Sequence, residues 1–276
     1  MADFKNIGFG IDIGGSGVKG ALVDLKTGEL ASRRVRIPTP EHSTPTAIVD
    51  IIGQIIEELQ VPEGVPVGVA FPGPIKNGIV TYIANLDQTW LNTSIHALIK
   101  DRLGRDASVI NDADAAGYGE VQYGAARGEE GLVFATTQGT GIGAAFIYKG
   151  VLIPGCELGH IEINGHDAES RAAASIRDKE NLSWSEWAGR LQVYYSTIEH
   201  LFSPDVIIIG GGVSEKAEKF IPLLNLKAKV VPATLRNLAG IVGAAHYAAT
   251  EQKEKNSIKN RLQNALEAKS ENALLD

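Results

Sequence analysis

The chain has 276 residues, of which 44% are hydrophobic and 21% are charged, and its formal net charge is −7. These proportions indicate a folded protein of one large domain or two lobes, and the negative charge argues against general nucleic-acid binding, which needs a basic surface. The single cysteine excludes an internal disulfide and a cysteine-rich zinc site, and since we identify no secretory signal or bilayer-spanning apolar run, we expect a protein of the reducing cytoplasm.

The first half of the chain predicts an opening β-meander followed by alternating helices and strands. Residues 7–12 predict a buried strand, GGSG predicts a tight turn, and VKGALVDL and ELASRRVRI predict two further strands. Residues 46–60 carry apolar side chains at helical spacing and predict an amphipathic helix. The next predictions are a strand at VPVGVAFPG, a helix at TSIHALIKDRLG that ends at Gly104, a strand at ASVIN and a helix at DADAAGYGEVQYG.

The second half repeats the opening pattern. GLVFATTQGTGIGAAFIYKGVLI predicts a strand, a glycine turn, a strand, a short turn and a strand, and residues 183–201 predict a helix. VIIIGGGVS predicts a strand that enters a glycine-rich turn, 227–231 a short strand, and AGIVGAAHYAAT a closing helix. One glycine-turn hairpin in each half predicts two related lobes that face each other across a cleft. The polar tail from Glu251 onward is typical of an exposed helix or a frayed end.

Glycine is enriched, with 31 residues among 276, or about 11% against a usual value of about 7%. Glycine turns let successive backbone N–H groups converge on an anion. A plain hairpin turn is the alternative for any single one, but three such turns at strand ends favour a site for a phosphate donor. The candidates are Asp12, Gly14, Gly15, Ser16, Gly17 and Lys19 in the first region, Gly139, Thr140 and Gly141 in the second, and Gly211, Gly212 and Ser214 in the third.

Two further polar segments leave alternatives open. VINDADAAGYGE places Asn111 and Asp112 between a strand and a helix, where Asp112 is either a helix N-cap or a base that accepts a hydroxyl proton during phosphoryl transfer. GCELGHIEINGHDAESRA, residues 155–172, holds the only cysteine and two histidines among several carboxylates. From its residues alone, that stretch is a metal site, a catalytic site or a polar loop.

In combination, these segments resemble the ROK family of sugar kinases, within the larger group that includes hexokinase, actin and the heat-shock chaperone ATPases. The matching segments follow the family's order from residue 9 to about residue 245. Within the family, RIPTP, NLDQTWLNTS and LSWSEWAGRL make the chain most similar to the actinobacterial polyphosphate glucokinases, including forms that accept ATP and mannose. The segments behind the broader resemblance are GIDIGGSGVKGALVD, VAFPGP, INDADAAGYGE, TTQGTGIGAAF, ELGHIEI, VIIIGGGVS and AGIVGAA.

The resemblance implies an α/β fold of the two-lobed actin-like or hexokinase-like ATPase type, in which a ribonuclease H-like motif is duplicated around a cleft. We expect a small lobe of residues 1–111 plus the returning 237–276, and a large lobe of residues 112–236. A homodimer is implied by the family alone. The expected cofactor is Mg²⁺, with ATP, polyphosphate or both as phosphoryl donor.

The resemblance also implies residue roles. Asp112 would be the general base on the sugar 6-hydroxyl, and Asp12 would face Mg²⁺ through water. The turns at 14–19 and 139–141 would bind donor phosphates, and Gly211, Gly212 and Ser214 would lie near the nucleotide. The residues expected to hold the sugar are Asn85, Asn111, Asp112, Glu157, His160 and Glu169, with the backbone at Gly73.

One departure from the family concerns zinc. Many members carry a cysteine cluster after the Gly-His dipeptide, and that cluster binds zinc together with the histidine. Here the segment after His160 is IEINGHDAESRA, without cysteine, and Cys156 precedes it. We therefore predict no zinc site, and His160 then needs another partner to fix its ring.

We expect a hexose kinase that phosphorylates the 6-hydroxyl of glucose, and also of mannose, from polyphosphate or ATP with Mg²⁺. The alternative within the kinases is a strictly ATP-dependent hexose kinase. A sugar-responsive repressor would carry an N-terminal helix-turn-helix domain, and only eight residues precede the matching region. A third class, a scaffold switched by a nucleotide and without a small substrate, would give no function to the polar side chains around Asp112 and His160.

Overall fold

A computed structural model describes residue 4, residues 6–84 and residues 86–272, with side chains as far as residue 264. Its strands are β1 Ile7–Gly14, β2 Gly17–Asp24, β3 Val35–Ile37, β4 Val67–Phe71, β5 Ile75–Lys76, β6 Ile79–Val80, β7 Ala107–Asn111, β8 Leu132–Gln138, β9 Ile142–Tyr148, β10 Val151–Ile153, β11 Glu162–Ile163, β12 His166–Asp167, β13 Val206–Gly210 and β14 Lys229–Pro232. Its α-helices are α1 Pro45–Glu58, α2 Ile95–Leu103, α3 Asp112–Tyr123, α4 Glu169–Ala172, α5 Ala174–Lys179, α6 Trp184–Phe202 and α7 Ala239–Asn272. Short 3₁₀ turns cover Gln88–Trp90, Leu158–His160, Gly212–Lys219, Ile221–Leu223 and Arg236–Leu238. None of the helices in the described part of the chain could span a bilayer, given their length and polarity.

Two five-stranded sheets share one strand arrangement. Their orders are β3-β2-β1-β4-β7 and β10-β9-β8-β13-β14. In each sheet the first three strands in sequence pair antiparallel as a meander, and the other two pair parallel. The first half of the chain and the second half therefore build the same motif, as the repeated hairpin pattern predicts.

Each sheet has its own apolar core. In the first, α1 begins after the N-cap Thr44 and buries its isoleucines against the sheet, because its apolar residues recur at helical spacing. Trp90 is fully buried there, and its indole nitrogen donates to the carbonyl of Ser43 at 2.8 Å. In the second core, α6 begins at a capping box formed by Ser183 and buries an aromatic face around Trp187.

The helices α3 and α7 lie between the two sheets and pack closely against each other. A Cβ atom added at Gly243 would lie 1.8 Å from the carbonyl oxygen of Ala115, so only glycine permits this approach. Helix α7 packs on β1 and β4, whereas α3 packs on β8 and β9. Both helices begin at the space between the sheets, which places two helix N-termini at the cleft.

Two predicted segments differ in extent. ELASRRVRI forms a strand only at Val35–Ile37, preceded by an isolated bridge between Val23 and Leu30. The cause is local, because the hydroxyl of Ser32 takes the N–H of Leu22 at 3.0 Å, a donor that a strand partner would otherwise use. The closing helix is longer than predicted, since α7 continues to Asn272. Its residues 252–264 are exposed, which agrees with the exposed-helix alternative for the tail.

Candidate active site

A cavity of about 190 Å³ lies between the two sheets, where their strands end. It brings together predicted residues that are far apart in sequence, and it is lined also by the turn that leads into α7. The polar and glycine residues that line it are Asp12, Lys19, Asp112, Gly117, Glu120, Thr136, Thr137, Gly210, Gly211, Arg236, Asn237 and Gly240.

The junction between β7 and α3 places Asp112 at the cleft. Asn111 is the N-cap of α3, since its Oδ1 accepts from the backbone N–H groups of Ala113 and Asp114 at 2.8 and 3.1 Å. The Nδ2 of Asn111 donates to the carbonyl of Gly73 at 3.2 Å. Asp112 is the first residue of the helix and is not its cap, so the capping hypothesis for Asp112 is wrong.

The carboxyl of Asp112 is a much stronger base than an ordinary aspartate. Burial, and after it the charge of nearby Asp12, raises its pKa from 3.8 to about 7. Its Oδ1 accepts from the N–H of Ala113 at 2.8 Å, which opposes the rise. A group with this pKa changes protonation state near neutral pH, as a general base requires.

An ion pair faces Asp112 from the hairpin of β1 and β2. Asp12 and Lys19 are directly opposite in register, and Lys19 Nζ lies 2.8 Å from Asp12 Oδ2. A Cβ atom at Gly240 would lie 3.3 Å from the carboxyl carbon of Asp12, so this carboxylate sits against the first turn of α7. The positive end of that helix favours anions at this point of the cleft.

The first glycine turn is a tight hairpin. Gly14 and Gly17 pair with each other, and Gly15 and Ser16 between them are exposed. Arg36 reaches over the turn from β3, because its Nη2 donates to the carbonyl of Ser16 at 2.7 Å. The turn is therefore a tight hairpin with an arginine beside it, and its role in binding phosphate stays a prediction.

The second glycine turn is tied to the helices that follow. The hydroxyl of Ser175 donates to the carbonyl of Thr140 at 2.7 Å, and the N–H of Gly139 donates to the carbonyl of Gly141 at 3.0 Å. The carboxylate of Glu169 accepts from the N–H of Ile142 at 3.0 Å. Glu169 thus lies against this turn.

The third glycine turn requires glycine at one position. Gly211 has φ of 82°, and a Cβ atom there would lie 2.1 Å from the carbonyl oxygen of Gln138. Ser214 is buried, and its hydroxyl donates to the carbonyl of Gly211 at 2.8 Å. At the end of β13, Gly210 and Gly211 therefore line the cleft with backbone atoms. Gly212 is the first residue of the 3₁₀ turn that follows.

The segment around His160 contains the partner that its ring needs. His160 Nδ1 and Asp167 Oδ2 are 2.8 Å apart, and this hydrogen bond is the largest cause of the raised pKa of His160. Glu169 Oε1 lies 3.9 Å from the same nitrogen. Burial raises the pKa of Glu157. Asp167, which sequence reasoning assigned no role, therefore orients His160.

The remaining expectations for this region stay predictions. His160, Asp167 and Glu169 each offer one ligand atom within 4.8 Å of the others, a spacing that a metal ion could use, so the expected lack of zinc stays a prediction. Asn85 lies outside the described residues.

Sequence reasoning missed two buried carboxylates on α3. Asp114 is 2% exposed, and burial raises its pKa to about 7. Its Oδ2 accepts from the N–H of Gly155 at 3.0 Å, which fixes the start of the segment that carries Glu157 and His160. Glu120 is also 2% exposed. The pattern DADAAGYGE gave no signal for them, because hydrophobic periodicity does not reveal a buried charge.

Comparisons with known proteins agree with this arrangement. The sequence model of the ROK family matches residues 8–181. The polyphosphate glucokinase of Mycobacterium tuberculosis is 45% identical over 239 residues, which cover 86% of this chain and 89% of the relative. The solved structure of the inorganic polyphosphate/ATP-glucomannokinase from Arthrobacter sp. strain KM is 50% identical, with a TM-score of 0.81 over 89% of this chain and 99% of that one. A ROK family glucokinase from Streptomyces griseus has the same fold, with 24% identity and a TM-score of 0.73 over 88% of this chain and 99% of that one. The predicted two-lobed, actin-like fold is confirmed.

Proposed function

Because the chain belongs to the ROK family, we propose that it is a glucokinase that transfers a phosphoryl group from inorganic polyphosphate or ATP to the 6-hydroxyl of glucose. Relatives at 45% and 50% identity are named polyphosphate glucokinase and polyphosphate/ATP-glucomannokinase. The observation that carries the proposal is the cleft itself. There the buried carboxyl of Asp112, with a pKa of about 7, shares one cavity with Lys19 and the first turn of α7.

Asp112 acts as the general base in this proposal. As the 6-oxygen of glucose attacks the terminal phosphorus of the donor, a new O–P bond forms and the bond to the leaving phosphate chain or ADP breaks. The hydroxyl proton passes to the carboxylate of Asp112. A pKa of about 7 leaves this group substantially ionised at neutral pH and still basic enough to take the proton.

The sugar is held by groups that match its hydroxyls, each of which both donates and accepts. Asn111, Glu157, His160 and Glu169 supply an amide, two carboxylates and an imidazole, and Asp167 holds the imidazole in place. A buried hydroxyl left without a partner costs about 1–3 kcal/mol, which is the source of sugar specificity. The backbone at Gly73 and the side chain of Asn85 complete the proposed set.

The donor phosphates meet positive charge from several sources. Lys19, the N-terminus of α7 and the glycine turns at 14–17 and 139–141 are the proposed phosphate-binding groups. With ATP as the donor, Gly211, Gly212 and Ser214 would lie beside the nucleotide.

Mg²⁺ fits this cleft because it typically binds one or two carboxylates together with substrate phosphates and waters. Asp12 offers a carboxylate in the same cavity, and it would hold the ion through water. When bound, the ion neutralises charge on the donor phosphates. This chain's own part is to position the donor, and the ion pair with Lys19 keeps the carboxylate of Asp12 facing the cleft.

Four finer features are also part of the proposal. Mannose as a second acceptor is supported by the name of the Arthrobacter relative. The lobe limits, 1–111 plus 237–276 and 112–236, are supported by the two separate sheets, and α3 packs against strands of both. The homodimer is proposed from family membership alone. Light scattering on the purified protein measures the molar mass in solution and tests it. The single cysteine supports a reducing, cytoplasmic compartment.

Initial rates on one preparation test the proposal. Glucose and mannose are each assayed with ATP and with polyphosphate in the presence of Mg²⁺. We expect glucose-dependent transfer from polyphosphate and from ATP. Transfer from ATP alone would favour the strictly ATP-dependent kinase, and no transfer from either donor would refute the proposed function.

A further inference from the structure

Arg236 occupies an unusual backbone conformation at the cleft. It lies in the turn between β14 and α7 and lines the same cavity as Asp12, Lys19 and Asp112. Its φ is 51°, in the left-handed region that glycine adopts freely and that a bulky L-residue rarely occupies. An arginine at such a position is strained, and glycine would remove the strain.

The surrounding structure imposes this conformation. Glu120 is buried, and its Oε1 accepts from the N–H of Leu235 at 2.7 Å, while its Oε2 accepts from the hydroxyl of Thr234 at 3.1 Å. On the other side, the N–H of Leu238 donates to the carbonyl of Leu235 at 3.0 Å. The turn is therefore fixed on both sides of Arg236. Strain that a fixed framework maintains at a cleft is a feature of functional positions.

The charge of Arg236 is uncommitted. None of the ion pairs among the described residues includes Arg236. The other non-glycine residues with positive φ are mostly asparagines, which tolerate that conformation. Within the described part of the chain, the one other cationic residue among them is Lys149, whose φ is also 51° and which lies in the turn between β9 and β10.

We propose that Arg236 binds the phosphates of the phosphoryl donor, and that it favours polyphosphate over ATP. The inference rests on the proposed function. A guanidinium matches phosphate oxygens with two parallel hydrogen bonds. Polyphosphate offers only phosphates to the protein, whereas ATP also offers a base and a ribose. The loss of one cation at the cleft should therefore weaken the binding of polyphosphate more than the binding of ATP.

The test compares Arg236→Gly with Lys149→Gly. Both substitutions remove a cation from a position with φ of 51°, and both relieve the same strain. Lys149 is a suitable control because it follows the far end of β9, whereas the second glycine turn precedes the near end at Ile142. The melting temperature is measured for both variants, together with KM for polyphosphate, ATP and glucose and the binding of inorganic tripolyphosphate by calorimetry.

We expect Arg236→Gly to raise KM for polyphosphate about tenfold or more, because one charge-assisted contact is lost. KM for ATP should rise less, KM for glucose should stay constant, and tripolyphosphate binding should weaken. The melting temperature should not fall in either variant, and Lys149→Gly should keep every kinetic constant. Arg236→Asn, which also tolerates positive φ, should repeat the result of Arg236→Gly.

Other results overturn the inference. An unchanged KM for polyphosphate in an active Arg236→Gly enzyme contradicts it, as does an equal rise in KM for glucose together with a lower melting temperature. Failure of the proposed function is distinguishable, because then the unmodified chain would transfer phosphate from neither donor.

Discussion

Asp12 in β1 and Thr136 in β8 occupy equivalent positions in the two sheets, two residues before the strand ends at Gly14 and at Gln138. Both line the cleft. Asp12 forms an ion pair with Lys19, whereas Thr136 is buried and bonds to the hydroxyl of Tyr195 at 2.8 Å. The repeated motif thus supplies the same position twice, and only the first sheet places charge there.

The glycine turns that follow these strands differ in the same way. The first turn is held by Arg36, which belongs to its own sheet. The second turn is held by Ser175 and Glu169 of the helices α5 and α4. The first sheet therefore presents ions to the cleft, and the second presents backbone that is connected to the proposed sugar-binding carboxylate. Charge at the cleft thus comes from the Asp12–Lys19 pair in the first sheet, and on the side of the second sheet from Arg236 in the turn after β14.

The largest expected loss of activity comes from substitution of Asp112, which faces the ion pair of Asp12 and Lys19. Asp112→Asn should lower kcat by about 10²–10⁴-fold, because the hydroxyl proton loses its acceptor. Glucose binding by calorimetry should change little, since the amide keeps the shape and hydrogen-bonding capacity of the side chain. In the unmodified enzyme, kcat/KM should rise with pH and level off above about 7, as the carboxyl ionises. Near-normal turnover of the variant would refute the role of Asp112.

The equivalent positions can be compared directly. Asp12→Asn should lower kcat by roughly 10²-fold, because Lys19 loses its partner and the proposed Mg²⁺ ligand becomes neutral. Thr136→Val should keep kcat within a few-fold and lower the free energy of unfolding by about 1–3 kcal/mol, since Tyr195 loses a buried partner. Steady-state kinetics and urea denaturation of both variants measure the contrast. Equal losses of kcat would remove the asymmetry between the sheets.

The third glycine turn tests the backbone of the second sheet. Gly211→Ala should destabilise the protein by about 2–4 kcal/mol, because its Cβ would lie 2.1 Å from the carbonyl oxygen of Gln138 and its φ is 82°. Gly139→Ala is the matched control, since a Cβ there meets nothing within 4 Å. Thermal denaturation compares the two. Similar melting temperatures would contradict the close approach at Gly211.

Much of this fold could be predicted from local patterns. Alternating apolar residues and glycine turns predict the hairpins, and apolar residues at helical spacing predict α1. Gly104, whose φ is 66°, marks the end of α2. The site was harder to predict because its contacts are not local. Asp167 reaches His160 only because the residues between them form the small ribbon of β11 and β12.

Other features lacked any sequence signal. The left-handed backbone at Arg236 could not be predicted, because glycine is the residue that indicates this conformation and the sequence has arginine there. The burial of Asp114 depends on how α3 packs between the sheets, and a polar helix pattern does not contain that information. The strand β3 is shorter than its pattern predicts because one hydroxyl, that of Ser32, competes for a backbone donor.

A smaller effect concerns the sugar side of the second sheet. Asp167→Asn should lower the pKa of His160, because the carboxylate that raises it is neutralised. We expect KM for glucose to rise by about three- to tenfold with kcat little changed, since the imidazole loses a charge-assisted partner that orients it. NMR titration of the His160 ring and steady-state kinetics measure the two effects. An unchanged pKa would show that Asp167 does not set the state of His160.

The smallest expected effect is a dependence of stability on pH that arises from Asp114. Its pKa is about 7 in the folded protein and 3.8 for an ordinary aspartate, so between these values the folded state keeps a proton that the unfolded state has lost. The unfolding free energy of the unmodified protein should therefore fall as pH rises through this window, by at most about 1.4 kcal/mol per pH unit from this group.

Asp114→Asn removes that dependence and keeps an oxygen for the N–H of Gly155. The difference in unfolding free energy, variant minus unmodified protein, should grow more positive from pH 5 to pH 7 and stay constant above it. The charge of Asp112 contributes to the raised pKa of Asp114, so the two carboxyls do not titrate independently. The same comparison is therefore also made in an Asp112→Asn background. Urea denaturation at pH 5, 6, 7 and 8 measures the curves. Parallel curves would mean that Asp114 is ionised in the folded protein throughout, and that its burial between the two sheets is offset by contacts that favour the charge.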